Sequence, residues 1–349
     1  KMITIFDKVI KSVKQSWFGM NIITSRKQQS NHKKPQPEMV DLVALGNNMF
    51  KKVLVTGGSG LVGSHIESDY KPSSKELNLL CGEDICDYIT ENNIDSIIHC
   101  AAKVGGIKAN SEHLGEFFYE NTMMNMNVLE AARKTGVKKV VSFLSTCVFP
   151  DKATYPLTTE QIHEGEPHQS NYAYAYSKRM VEVQSRAYRD QYGSNFVTII
   201  PCNIYGKHDN FNLESGHVIP SLIHKCYLAK QNDTPFEVWG TGRAYREFIY
   251  AKDVGKLASW VLENYDDSES LILSPDEEVS IAVIAQEIAY RMGFNGIIRY
   301  NQKLDGQLRK PSDNSKLKKL IGDFRFTPIE QGLEESIGWF VENYERVRK

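Results

Sequence analysis

Cysteine is scarce and unpaired in this sequence: six in 349 residues, at positions 81, 86, 100, 147, 202 and 226, with no CxxC spacing. That excludes a disulfide framework, leaves no metal site to expect, and favours a reducing, cytoplasmic compartment. No uncharged apolar run reaches the ~18–20 residues that cross a bilayer, so no membrane span is expected. Neither sign of charge prevails, with 42 basic and 43 acidic side chains and a net −1, which argues against a nucleic-acid binder. Internal repeats are lacking, as is any long linker past residue 50. What remains is ample chain for one large domain or two interleaved ones whose core needs no staple.

The even charge balance conceals an uneven start. Residues 1–49 hold eight basic and three acidic side chains, leaving 34 and 40 for the rest. Ile3, Ile5, Phe6, Val9, Ile10 and Val13 interleave with Lys8, Lys11 and Lys14 as a weakly amphipathic basic helix, and a polar stretch follows from Ser25 to Pro37. The expectation for 1–49 is a leader outside the fold, disordered or non-native, with Met49 as a natural start.

Beyond it, apolar runs at 52–56, 94–101, 140–145 and 196–201 alternate with helical periods such as Asn121–Lys134 and Tyr174–Tyr192. Near-continuous apolar strands separated by helices predict an α/β fold with a parallel sheet covered on both faces. After Pro201 the texture changes to short strands and helices at 217–230, 253–265, 280–292 and 328–346, read as a smaller substrate domain.

Two motifs carry chemistry. Gly57, Gly60 and Gly63 form a G-x-x-G-x-x-G turn between the first strand and the next segment, the context a dinucleotide fingerprint needs. Tyr174 and Lys178 stand four apart on a helix and so share one face. Ser145-Thr146-Cys147 lies at the end of an apolar strand, where alternation would aim Ser145 and Cys147 the same way. On their own these residues also fit blander roles: a plain turn, a surface pair, a buried thiol.

Together, Gly57/Gly60/Gly63, Ala101-Ala102-Lys103-Val104-Gly105-Gly106, Ser145-Thr146-Cys147 and Tyr174…Lys178 resemble the extended short-chain dehydrogenase/reductases. Longer strings narrow the likeness to the GDP-L-fucose synthase family: LSTCVFPDK at 144–152, GKHDNFN at 206–212, HVIPSLIHK at 217–225, WGTG at 239–242, LDGQLRK at 304–310 and DFRFTP at 323–328. The resemblance implies a Rossmann-type doubly wound sheet at 50–205, rejoined by 249–275, with 206–248 and 276–349 as a mixed α/β substrate-binding domain. It implies a homodimer that uses NADP(H) on GDP-4-keto-6-deoxy-D-mannose. Cys147 and His217 would exchange protons beside the ketone, since a thiol titrates near ~8.5 and an imidazole near ~6.5. Tyr174 would then protonate the reduced oxygen, assisted by Lys178 and Ser145. Cofactor contacts would come from Gly57, Ser59, Gly60, Leu61, Val62, Gly63, Ala101, Ala102, Gly105, Tyr174, Lys178, Pro201, Asn203 and Ile204. Lys225, Trp239, Arg246 and Asp305 would hold the nucleotide sugar. Two rivals are a nucleotide-sugar 4-epimerase of the same superfamily and a catalytically impaired dinucleotide-binding homologue or dimer partner.

One departure stands out. After Gly63 the chain runs SHIESDYKPSSKELNLL (64–80), so the Leu-Asn-Leu-Leu segment that the resemblance implies arrives at 77–80, about nine residues too early. The spacing predicts a helix of two turns or so before Pro72 and a strand cut short within Ser73–Leu80, or lost.

Overall fold

The computed structural model describes residues 49–105, 112–302 and 307–349, so the leader expected at 1–49 lies outside the described residues but for Met49. In chain order the first half runs β1 (Val53–Thr56), α1 (Gly82–Asn92), β2 (Ser96–His99), α2 (Leu114–Thr135), β3 (Lys139–Phe143), α3 (Tyr172–Tyr192) and β4 (Asn195–Pro201). It continues with β5 (Asn203–Tyr205), α4 (Val218–Asn232), β6 (Phe236–Val238), β7 (Tyr245–Tyr250), α5 (Ala251–Asn264) and β8 (Leu271–Leu273). The last elements are β9 (Glu278–Ser280), α6 (Ile281–Arg291), β10 (Ile298–Tyr300), α7 (Ser315–Ile321) and α8 (Ile329–Glu342).

Five strands form one wholly parallel sheet in the order β1-β2-β3-β4-β8. Because side chains alternate along a strand, each apolar run divides between the two faces. Leu54, Ile97, Val140, Phe196 and Ile272 meet α1, α2 and α3 on one side. Val55, Ile98, Val141, Val197 and Leu271 meet α5 and α7 on the other. Burial on both faces explains why these strands lack the polar alternation of a half-exposed sheet. No helix among the described residues is long and apolar enough to cross a membrane.

At Cys202 the chain leaves this sheet. β5 pairs with β7 in parallel, β7 with β9 antiparallel, and β6 with β10 in parallel. Helices α4, α6 and α8 close over them around Phe211, Phe236, Ile284, Leu333 and Phe340. The Pro201–Asn203 passage therefore joins two separately packed cores.

The shortened crossover folds differently from the spacing argument. In place of a two-turn helix there is a single 3₁₀ turn, Gly63–His65, whose His65 backbone rests on Gly255 of α5. The second strand survives as one bridging residue: Tyr70 faces Leu54, and the Val55 N–H donates to the Tyr70 carbonyl at 2.9 Å. Ser73–Leu80, expected to hold the strand remnant, is turn and loop, with Leu77 buried and the Leu79 carbonyl held by Asn127 at 3.1 Å. Six or seven residues after the turn are too few to return along the whole length of β1, so pairing begins and ends at Tyr70.

Candidate active site

The carboxyl ends of parallel strands lie along one edge of the sheet, and the site assembles there. After β1 the chain turns through Gly57, whose φ of +69° and 2.9 Å approach to the Ala101 backbone both exclude a side chain. Gly60 N–H donates to the Gly57 carbonyl at 3.0 Å, and a Cβ on Gly63 would strike that carbonyl oxygen at 2.3 Å. The fold of this turn leaves the N–H groups of Gly58, Ser59, Leu61 and Val62 without a hydrogen-bond partner among the described residues. Successive unpaired amides in a tight turn suit an anion such as a dinucleotide diphosphate. Lys71, directly after the bridging Tyr70, lays its side chain against Gly58 and has no ion pair among the described residues. The residues present fit the diphosphate end of a dinucleotide, with a cation beside it that sequence reasoning did not single out.

The neighbouring strand ends complete the floor. Ala101 N–H donates to Thr56 Oγ1 at 3.2 Å, while Ala102 and Gly105 are half-buried just beyond. Thr56 Oγ1 also meets His99 Nδ1 at 2.7 Å, His99 Nε2 meets Asn125 Oδ1 at 2.9 Å, and Asn125 donates to the Ser177 carbonyl at 3.4 Å. Burial, with Lys178 contributing, pushes His99 down to about 4, so the ring is neutral and links the cofactor turn to α3. On the far side Pro201 ends β4, exposed Asn203 donates to the Glu247 carbonyl at 2.8 Å, and Ile204 is half-buried.

Four of the expected catalytic side chains are brought together, though not by strand alternation. β3 stops at Phe143, and Thr146–Val148 form a 3₁₀ turn capped by Ser145, whose Oγ accepts from the Cys147 N–H at 3.3 Å. That cap, rather than a shared strand face, sets Ser145 beside Cys147. Lys178 is buried and donates to the Phe143 carbonyl at 2.9 Å, with its Nζ 6.0 Å from the centroid of the Tyr174 ring. Burial pushes Lys178 down to about 8, opposed by Cys100. Burial also holds the Tyr174 phenol well above its ordinary range, and the neighbouring Cys147 adds to this. A phenol so placed keeps its proton until a strong base forms beside it, which suits a proton donor.

Two contacts around Cys147 went unread in the sequence. Asn171 donates its side-chain amide to Cys147 Sγ at 3.0 Å, and Lys310 Nζ donates to the Thr146 carbonyl at 3.0 Å. Both partners come from other segments, and no local pattern marks them.

His217 stands at the start of α4 and makes no hydrogen bond to the Ser145–Cys147 group. Its side chain reaches solvent, yet protein crowds it closely enough that desolvation, joined by the Arg348 charge, holds it below its usual value. Further along α4, Lys225 Nζ sits 3.6 Å from the centroid of the Trp239 ring, a close cation–π contact. Burial pushes Lys225 down to about 8 against the pull of Glu237. The pair lines a cavity of about 250 Å³ between α4 and β6 with Leu213, Leu228, Ala229, Thr234, Pro235 and Glu237. Trp239 is 53% exposed, so its ring is open to stacking. Arg246, on β7, donates to the Tyr245 and Gln307 carbonyls at 2.6 and 2.8 Å. Asp305 lies outside the described residues.

Residues 53–274 match the NAD dependent epimerase/dehydratase family. The chain is 46% identical over 313 residues to GDP-L-fucose synthase of Dictyostelium discoideum, covering 86% of this chain and 98% of that one. It is 41% identical over 320 residues to the probable GDP-L-fucose synthase of Drosophila melanogaster, covering 86% and 100%. Among solved structures it resembles a GDP-L-fucose synthetase from Naegleria fowleri bound to NADP, with a TM-score of 0.81, 39% identity, and coverage of 86% and 96%. A family match through the parallel sheet, and relatives of 41 and 46% identity along nearly their whole length, show that the chain belongs to the NAD dependent epimerase/dehydratase family, in its GDP-L-fucose synthase branch.

Proposed function

We propose that this chain is an NADPH-dependent enzyme converting GDP-4-keto-6-deoxy-D-mannose to GDP-L-fucose. The observation that carries the reading is the grouping of Ser145, Cys147, Tyr174 and Lys178 at the end of β3, beside a glycine turn rich in unpaired amides.

Epimerisation at the carbons flanking a ketone removes a proton from one face and returns one to the other. Cys147 and His217 divide these roles, the enolate oxygen being held meanwhile by Ser145. Reduction then needs a hydride at the ketone carbon, which NADPH supplies when bound, and a proton at the oxygen, which Tyr174 delivers. Lys178 holds the ribose of the cofactor and, once charged, offsets the negative charge left on Tyr174. Gly57, Ser59, Gly60, Leu61, Val62 and Gly63 offer backbone to the diphosphate; Ala101, Ala102, Gly105, Pro201, Asn203 and Ile204 border the rest of the cofactor. Lys225, Trp239, Arg246 and Asp305 hold the nucleotide, with Trp239 stacking on the base and the cations facing the phosphates.

The working form is a homodimer. Phe118, Tyr119 and Met126 on α2 and Tyr172 and Met180 on α3 stand exposed, an apolar face on two adjacent helices that a second copy can cover. Six free cysteines support a cytoplasmic location.

Titration of the purified chain with NADPH, followed by incubation with the keto sugar in deuterated water, tests the reading. Micromolar binding, deuterium at the epimerised carbons and GDP-L-fucose as product are expected. A folded chain that binds no NADPH would instead favour a non-catalytic homologue or dimer partner that has lost the cofactor site.

A further inference from the structure

The amide of Asn171 has one side-chain hydrogen bond, from Nδ2 to Cys147 Sγ at 3.0 Å. Its Oδ1 is buried and has no partner among the described residues. The backbone around it is fixed: Asn171 N–H donates to the His168 carbonyl at 3.1 Å, and Ala175 N–H donates to the Asn171 carbonyl at 2.9 Å, opening α3. Tyr174 and Lys178 share one face of α3, and Asn171 is the residue that caps its start.

A group that shuttles a proton alternates between thiolate and thiol. A thiolate needs a donor opposite it, and a thiol is best met by an acceptor. A primary amide offers both, provided it can turn over without breaking other bonds. Asn171 meets that condition, because its Oδ1 holds no hydrogen bond among the described residues. Resting on the assignment of Cys147 to proton exchange, we infer that Asn171 is the positioning residue of the epimerase half-reaction, donating Nδ2–H to the Cys147 thiolate and presenting Oδ1 to the thiol after proton uptake. Asp at this position matches Asn in shape but presents only acceptors, and it sets a negative charge against the thiolate. Ala removes the partner altogether.

The test is the rate of Cys147 alkylation by iodoacetamide as a function of pH, read peptide by peptide by mass spectrometry in the holoenzyme with NADPH. Cys81 and Cys86, before and within α1, serve as internal references. Asn171→Asp should slow Cys147 alkylation at neutral pH about tenfold or more, with the rising limb of its pH profile moved to the alkaline side, because a charge-assisted hydrogen bond to the thiolate is replaced by a like charge. Asn171→Ala should slow it severalfold. Both should slow deuterium entry into the sugar more than the reduction of an already epimerised ketone. Wild-type alkylation rates and profiles in both variants would overturn the inference. Should Asn171→Asp fail to fold, Asn171→Ala decides alone. The alkylation arm needs no sugar, so a wild-type chain that makes no GDP-L-fucose would break the functional reading and leave this measurement independent.

Discussion

The two ends of the parallel sheet's ligand edge are built to different standards. β3 is paired on both sides, by β2 and β4, and the turn after it is capped by Ser145 and backed by Lys178. Among the described residues β1 is paired along its length only by β2; on its other side a single residue, Tyr70, bridges to it. The turn that carries Ser145 and Cys147 thus stands at the centre of the sheet and the glycine turn at its margin. The shortened crossover falls at the margin, where Tyr70 alone of its residues pairs with the sheet among the described residues. The difference teaches where this fold tolerates loss: in the crossover beside its first strand, not in the elements that seat Ser145, Cys147, Tyr174 and Lys178.

Four measurements would break or sharpen that contrast. The largest effect belongs to the centre: Tyr174→Phe should lower the rate of ketone reduction about 10²–10⁴-fold, as loss of a positioned acid does, while NADPH affinity stays within twofold. Stopped-flow nicotinamide absorbance separates the two, and a retained rate would remove Tyr174 as donor. At the margin, Gly63→Ala forces a methyl to 2.3 Å from the Gly57 carbonyl oxygen. Overpacking of this kind costs about 1–3 kcal/mol, so NADPH should bind roughly 5- to 150-fold more weakly by fluorescence titration. Equal affinity would mean that the turn is looser than its geometry.

The third concerns the nucleotide cavity. Lys225, pushed down to about 8, carries its charge below that pH and sheds it above. GDP affinity should therefore be flat up to pH 7, then fall up to about tenfold by pH 9, as one fewer cation faces the phosphates. Isothermal titration would show the slope, and Lys225→Met should bind weakly at every pH without it. The smallest change is expected of Lys71→Met, which keeps the stem against Gly58 and removes the charge. A two- to fivefold loss of NADPH affinity, shrinking in high salt, would mark an exposed electrostatic contact of about 1 kcal/mol or less.

Much of this arrangement was legible in the residues. The glycine triplet closing an apolar strand and the Tyr174/Lys178 spacing both depend on local geometry, and both stand where their periodicity put them. Helix ends were less sure. The C-terminal helix, read to residue 346, stops at Glu342. The shortened crossover was visible as a count of missing residues, but its outcome was not. Whether eight residues make a helix, a strand or a turn depends on which neighbour they can reach, and Tyr70 reaching β1 is a tertiary event. The same holds for Asn171 on Cys147, 24 positions apart, and Lys310 on Thr146, 164 apart. Sequence pattern reports on faces and caps; it is silent on which distant side chain will meet a given thiol.

The lone Tyr70 bridge bears on how this edge opens. When that bridge opens, Val55 N–H loses its acceptor and β1 keeps no partner on its outer side among the described residues. Proton exchange at Val55 therefore reports how often this edge opens, and a ligand that holds the turn following β1 should slow that exchange.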